Sequence, residues 1–241
     1  MNSYLIPYLL LIAHFVSGAL WQIRINSSLD RDEAKKQWTK YLIYLLVLNL
    51  IWCCLVWLPS IFPFIGLIVI LIASTEWWRA LRKIKGRFWL ILAFLLVAGG
   101  FAGFLYMDQN QILFIYFVVV LFDGSCQVVG QLFGKKALLP RISPRKTMEG
   151  LIGGVLITLA TSLLTRRSFS FEWGELILTT CLIMAAAFTG DLLASAVKRK
   201  AKIATFGSVL PGHGGVIDRF DSLMMAGMLS FLLLLIQQWS G

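Results

Sequence analysis

Charged side chains are scarce in this sequence of 241 residues: 14% are charged and 59% are hydrophobic. A typical soluble domain has about 25% charged residues, and no polar stretch here is long enough to bury a core of its own. Several apolar runs instead reach roughly 15–20 residues, enough for a helix to cross a hydrocarbon layer. The composition therefore excludes a soluble globular protein and predicts an all-α, polytopic integral membrane protein.

Cysteine is also rare, and its spacing excludes the usual metal motifs. None of the four cysteines forms a Cys-x-x-Cys or Cys/His pattern, so we interpret all four as free thiols in or beside membrane segments. A basic region is missing before the first apolar run, which excludes a typical signal peptide and indicates a retained first span.

Hydropathy predicts eight membrane spans. They lie near residues 4–23, 41–58, 61–78, 88–107, 111–129, 150–165, 174–194 and 217–236. If the N-terminus is outside, 20 of the 22 Lys and Arg residues fall in four inside segments, and only Arg166 and Arg167 fall outside. Basic residues mark the cytoplasmic side, so we expect both termini outside. We also expect the membrane to be a bacterial inner membrane. The net charge of +10 then reflects membrane topology and not nucleic-acid binding.

The acidic residues are concentrated near the inside ends of the predicted spans. Six of them share this position: Glu76, Asp123, Glu149, Asp191, Asp218 and Asp221. Ionisable groups at membrane depth are costly and usually functional. Solvated helix ends would explain one or two of them, but less well six that accompany loops rich in Gly, Pro, Lys and Arg. We therefore predict a functional site at the inner membrane face.

The last inside segment contains most of the candidate site residues. Four of its residues are spaced by 4, 3 and 4 positions and so share one helical face: Asp191, Ser195, Lys198 and Lys202. Asp218 and Asp221 share a face of the final span in the same way. Clustered carboxylates repel one another unless a cation neutralises them. Mg²⁺ suits such a cluster because it combines one or two carboxylates with water and substrate phosphates.

Glycines and cations around these carboxylates indicate a phosphate ligand. Glycines let backbone N–H groups approach an anion, and four lie between the two acidic groups: Gly207, Gly212, Gly214 and Gly215. The third inside segment, residues 135–146, adds five basic residues. Within and just after it, Ser143 precedes Lys146 and Glu149 at a predicted helix start. Cations and a helix N-terminus both favour a bound anion. Together these parts predict a site for Mg²⁺ and a polyphosphate beside lipid, and hence nucleotidyl or phosphoryl transfer to a lipid.

The run SAVKRKAKIATFGSVLPGHGGVIDRFD, from Ser195 to Asp221, closely resembles the signature of the phosphatidate cytidylyltransferase (CDP-diglyceride synthase) family. The segment PRISPRKTMEGLIGG is similar to the family's second block, Gly190–Asp191 to its short motif before the signature, and Asp123 to its Asp ahead of a Gly-x-x-Phe-Gly element. The resemblance extends in order over roughly residues 70–236.

This resemblance implies a Mg²⁺-dependent homodimer that joins CTP and phosphatidate to give CDP-diacylglycerol and pyrophosphate; it leaves room for a second cation. It implies Asp191, Asp218 and Asp221 as metal ligands and, with Lys198, as catalytic residues. The remaining residues that it implies bind substrate: Ser143, Lys146, Glu149, Asp123, Ser195, Arg199, Gly212, His213, Gly214, Gly215 and Arg219. We expect the chain to divide into N-terminal transmembrane helices over 1–87 and a transmembrane catalytic region with cytoplasmic motif loops over 88–241.

The sequence departs from the family pattern at two places. Ala204-Thr205 stands where the family has Lys-Asp, and Gly-Ser-Cys-Gln follows Asp123 where the family favours Thr or Ser followed by Gly-Ala-Tyr. Two alternatives therefore stay open: a CTP-dependent lipid-alcohol kinase, and a catalytically weakened paralogue that binds lipid.

Overall fold

A computed structural model describes residues 2–26, 30–209 and 214–240. Nine α-helices lie in these ranges: α1 Leu5–Asn26, α2 Arg31–Trp57, α3 Phe62–Leu81, α4 Phe88–Phe104, α5 Gln109–Phe133, α6 Met148–Leu164, α7 Arg166–Phe169, α8 Trp173–Ala201 and α9 Ile217–Ser240. A short 3₁₀ helix, Asn2–Tyr4, precedes α1, and two strands, β1 Ala137–Leu139 and β2 Ser143–Thr147, lie between α5 and α6.

Each predicted span corresponds to one of the eight long helices. Six of them are long and apolar enough to cross a membrane, whereas α4 and α6 are shorter apolar helices of 17 residues. The all-α, polytopic membrane fold is confirmed, while the number of eight spans stays a prediction. The four-residue α7 joins α6 to α8.

Helix α5 is the centre of the bundle. Every residue from 112 to 122 is buried, because α5 packs along α6 and also contacts α1, α2, α8 and α9. A helix that is apolar on all sides is expected in such a place. The hydroxyl of Tyr116 donates a hydrogen bond of 2.8 Å to the carbonyl of Leu48, so its polar atom is satisfied within the bundle. The buried run ends just before Asp123, which places this carboxylate at the edge of the core.

A small β-hairpin is the one departure from the expected helical chain within the described ranges. Strands β1 and β2 pair antiparallel, with Ala137 opposite Thr147 and Leu139 opposite Ser143. The hairpin leads directly into α6, whose first turn is capped by Thr147: its hydroxyl accepts a hydrogen bond of 3.1 Å from the N–H of Gly150. Lys146 is thereby held in an extended strand, not on the helix that follows.

Glycines allow α4 and α9 to pack closely. A Cβ at Gly100 would overlap Met228, and one at Gly103 would overlap the ring of Phe231, whereas a Cβ at Gly99 would meet no atom within 4 Å. The sequence contains Gly99 and Gly103 as a GxxxG pattern, and the structure shows that Gly100 takes the place of Gly99 in the contact. Small residues serve this purpose in membrane helices because they let two backbones approach.

Alanine substitutions at Gly103 and Gly99 should distinguish the effect of the α4–α9 contact on stability from the effect of helix propensity. We expect Gly103→Ala to destabilise the protein by about 1–3 kcal/mol through overpacking. Gly99→Ala should be neutral or stabilise it by up to about 1 kcal/mol, because alanine is the better helix former. Thermal unfolding of both variants in detergent micelles measures the difference, and equal midpoints would contradict the α4–α9 packing described here.

Candidate active site

Three carboxylates from different helices lie near enough at one end of the bundle to influence one another. Asp123 lies in α5, Asp191 in α8 and Asp221 in α9, and the charges of the three interact with one another. Asp123 is hydrogen-bonded to the side chain of Ser222, and the Oδ1 of Asp221 accepts a hydrogen bond of 2.9 Å from the N–H of the same serine. Asp123 therefore joins Asp191 and Asp221 in the carboxylate cluster, where the sequence predicted Asp218.

Lys146 brings the hairpin to this cluster. Its Nζ forms an ion pair with Oδ2 of Asp191 and lies 4.6 Å from the centre of the Phe188 ring. Ser195, one turn after Asp191 in α8, donates a hydrogen bond of 3.4 Å to its other oxygen. The side chains of Lys146 and Asp191 remain 25% and 29% exposed, so a ligand entering from the loop side can reach both.

Asp218 is bound within the protein on both of its oxygens. Oδ1 pairs with Lys198 Nζ at 2.6 Å, and Oδ2 accepts hydrogen bonds of 2.9 Å from the N–H groups of Phe206 and Gly215. Its side chain is only 7% exposed. In this structure Asp218 therefore closes the loop between α8 and α9.

The glycine loop comprises residues 202–216, between α8 and α9. In its described part, and at the start of α9, backbone N–H groups also donate hydrogen bonds to carboxylates. The N–H of Gly215 is bonded to Asp218, and those of Val216 and Ile217 donate to Glu76 in α3 at 3.0 Å each. Gly214 has φ of 88°, a left-handed conformation that suits glycine. Gly212 and His213, which the sequence predicted as substrate-binding, lie outside the described residues.

Several predicted residues connect the hairpin to its surroundings. Glu149 accepts hydrogen bonds from the N–H groups of Lys135 and Lys136 at 3.1 and 3.3 Å, and the bond from Lys135 contributes most to holding its pKa below the ordinary value. Arg199 donates from Nε to the carbonyl of Ile142 at 3.2 Å. Ser143 lies at the start of β2. These residues build the wall of the site that carries Lys146.

Two further predictions concern α8 and α9. Lys202 does not continue the helical face of Asp191, Ser195 and Lys198, because α8 ends at Ala201 and Lys202 adopts a left-handed conformation with φ of 55°. This prediction was wrong, since a left-handed residue after a helix turns the chain away from its face. Arg219 lies in the first turn of α9, with its guanidinium 5.9 Å from the centre of the Tyr44 ring.

An apolar groove lies beside Asp221, between α4, α8 and α9. It has a volume of about 100 Å³ and is bounded by Asp221 at the site and by apolar side chains that include Trp77, Ala93, Phe94, Leu193 and Met225. A smaller cavity of about 40 Å³ lies on the other side, between α2, α5 and α9, and is lined in part by Tyr44, Asp123 and Arg219. The charged cluster thus borders space that suits hydrocarbon.

The carboxylates of this site suit a magnesium ion that would take only part of its ligands from the protein. Among the described residues, no group of three or more His, Cys, Asp or Glu side chains could hold a metal ion by itself. Mg²⁺ does not need such a group, because it binds through one or two carboxylates and takes its remaining oxygens from water and substrate phosphates. Asp191 and Asp221 fit this requirement, since their charges interact and Asp191 is partly exposed.

Glu76 is the site residue that the sequence analysis did not assign. Its position near the end of a span was noted, but its contact with the start of α9 joins residues 140 apart in the chain. The sequence pattern that could have identified it is an acidic residue inside an apolar helix. Such a residue usually has a functional or structural role, but the pattern does not indicate which residues it contacts.

Comparison with known proteins gives one family and several relatives. The cytidylyltransferase family matches residues 4–237. A phosphatidate cytidylyltransferase of Staphylococcus saprophyticus is 39% identical over 142 residues, which are 55% of this chain and 54% of the relative. Proteins of the same name match from Bacillus subtilis, with 38% identity over 135 residues (54% of this chain and 50% of the relative), and from Staphylococcus aureus strain COL, with 35% over 162 residues (63% and 62%).

The alignments with the relatives cover less of the chain than the family match does. The chain spans about half the length of the first curated relatives it matches, whereas the family match extends over nearly the whole sequence. The resemblance seen in the motifs is thereby confirmed, and the chain belongs to the cytidylyltransferase family.

Proposed function

We propose that this protein transfers the cytidylyl group of CTP to phosphatidate, giving CDP-diacylglycerol and pyrophosphate. The observation that carries the proposal is the cluster of Asp123, Asp191 and Asp221 near Lys146, in which Asp221 also lines an apolar groove. Charged groups suited to a metal–nucleotide and space suited to acyl chains adjoin at that point. The names of the relatives support the same substrates.

The proposed reaction needs orientation more than it needs a base. A phosphate oxygen of phosphatidate attacks the α-phosphorus of CTP and forms a new P–O bond. The bond from that phosphorus to the bridging oxygen breaks, and pyrophosphate leaves with the electron pair. Phosphatidate is already ionised at neutral pH, so the protein contributes mainly by holding the two phosphates in line.

The residues of the site divide these tasks by charge. Lys146 and Lys198 would each exchange a carboxylate partner for a phosphate oxygen of the substrates. Arg219, at the start of α9, lines the smaller cavity together with Tyr44 and Asp123. Asp191 and Asp221 would hold Mg²⁺, which when bound offsets negative charge on the α-phosphoryl group and the leaving pyrophosphate. Asp218 as a third ligand, and a second cation, stay predictions; Asp218 would first have to release Lys198.

Membrane topology and assembly complete the proposal. The distribution of Lys and Arg supports an N-terminus outside and a site that faces the cytoplasm, and the bacterial sources of the relatives support a bacterial membrane. The resemblance to the family supports a homodimer. The division of the chain at residue 87 also stays a prediction, and the contact of Glu76 with the start of α9 joins its two parts.

Labelled CTP distinguishes the proposed reaction from the kinase alternative. Purified protein in lipid–detergent micelles receives phosphatidate or a lipid alcohol, Mg²⁺, and CTP labelled at the α- or the γ-phosphate. We expect label from the α-position in the lipid product and label from the γ-position in pyrophosphate. Transfer of the γ-label to lipid would instead identify a lipid kinase, and binding of CTP without either transfer would identify a weakened paralogue.

The same assay tests the carboxylate cluster. Asp221→Asn should lower kcat by about 100-fold or more, because it removes charge stabilisation where the phosphates react. Glu175→Gln is the matched control, since this carboxylate is exposed in the first turn of α8, at the other end of that helix from the site. Equal activity of both variants would contradict the proposed role of Asp221.

The groove predicts a dependence on acyl-chain length. Ala93→Trp should fill the groove and raise KM for dioleoyl phosphatidate about tenfold, the effect of losing roughly two buried methylenes. KM for dioctanoyl phosphatidate should change much less. Leu96→Trp, on an exposed face of the same helix, serves as control, and an equal rise in KM for both lipids would show that the chains bind elsewhere.

Cysteine labelling in intact cells tests the proposed topology. In a variant whose four native cysteines are replaced, Glu172→Cys should react with a membrane-impermeant thiol reagent and Ser208→Cys should react only after the cells are opened. Both side chains are exposed in the protein. The reverse pattern would place the site on the outer face.

A further inference from the structure

Glu76 is a fully buried acidic residue that the proposed reaction leaves without a role. Its Oε1 accepts a hydrogen bond from the N–H of Val216 and its Oε2 one from the N–H of Ile217, both at 3.0 Å. These donors belong to the start of α9, where helix N–H groups lack partners within the helix. Glu76 therefore caps α9 from a different helix, and its negative charge lies at the positive end of the helix dipole.

Two glycines make room for this carboxylate. A Cβ at Gly207 would overlap Oε1 of Glu76, and a Cβ at Gly215 would overlap its Oε2. The two glycines stand on either side of residues 210–213, so the described segments that contain Gly207 and Gly215 both contact this one side chain. Asp218 holds the same loop from its other side, through Phe206 and Gly215.

The neighbouring residue ties this contact to the wall of the site. Trp77 stacks on Phe206, with ring centres 5.7 Å apart, and on Phe94 of α4 at 5.1 Å. Lys198 lies 5.6 Å from the centre of the same Phe206 ring. The end of α3 therefore contacts the start of α9 and also Phe206, which lies against both Lys198 and Asp218.

We infer that Glu76 is a positioning residue that fixes Gly207, Gly215 and the first turn of α9, and with them Asp218, Arg219 and Asp221. This inference rests on the proposed function. A carboxylate is required because two N–H groups converge on it and it has an acceptor oxygen for each. Glutamine replaces one acceptor oxygen by an NH₂ group that only donates, and so would leave a buried backbone N–H facing another donor, which is costly.

Kinetics of Glu76→Gln test the positioning role. We expect kcat/KM for CTP to fall about 100-fold, as it does when reacting groups are misplaced by about an ångström, with a rise in KM as well as a fall in kcat. A role in stability alone would lower kcat in proportion to the folded fraction and leave KM unchanged. That result, or wild-type kinetics, would overturn the inference. Glu175→Gln again provides the matched control.

A second measurement does not depend on catalysis. Gly215→Ala should lower the unfolding temperature of the full-length protein in micelles, and should lower it less in a Glu76→Ala background, because the space of the carboxylate is then vacant. Gly174→Ala, at a position with no atom within 4 Å of a Cβ, should change little in either background. Additive effects of Gly215→Ala and Glu76→Ala would overturn the contact.

The two measurements separate the inference from the proposed function. If the wild-type protein makes no liponucleotide, the proposed function fails, while the coupling of Gly215 with Glu76 still reports whether the carboxylate holds the loop. If the wild-type protein is active and the coupling is absent, the inference fails and the proposed function stands.

Discussion

A carboxylate at the edge of a membrane must find a cation or hydrogen-bond donors, because an unpaired charge in an apolar setting is very costly. This requirement organises the site. Asp191 pairs with Lys146 from the hairpin, Asp218 with Lys198 and two backbone N–H groups, and Glu76 with the start of α9. Each pairing joins two separate elements, so satisfying the charges also assembles the site.

The acidic residues divide into two groups by what their oxygens contact. Glu76 and Asp218 accept hydrogen bonds from backbone N–H groups between α8 and α9 and at the start of α9, and Glu149 accepts them from Lys135 and Lys136, just before β1; these residues hold the loops. Asp191 and Asp221 lie in the cluster with Asp123, where like charges act on one another. A cluster of this kind is stabilised by added positive charge, which is the property a site for Mg²⁺ and a nucleotide requires.

The position of the site follows from the packing of the bundle. Helix α5 is buried along 112–122 and then presents Asp123 where the apolar core ends. The close approach of α4 to α9, through Gly100 and Gly103, brings the wall of the apolar groove near Asp221. Polar and hydrocarbon-lined space therefore meet at one place, which is the arrangement that a reaction between a soluble nucleotide and a lipid needs.

The sequence by itself determined the features that depend on local pattern: the apolar helices, the excess of Lys and Arg in four segments, and the motifs that contain Asp191, Asp218 and Asp221. It could not predict which cation each carboxylate meets, the hairpin that carries Lys146, the end of α8 before Lys202, or the assignment of Glu76. Those features depend on contacts between residues far apart in the chain, such as Glu76 and Val216, 140 positions apart. Only the packing of α3, α5, α8 and α9 decides them, because hydropathy and spacing report the environment of a residue and not its partner.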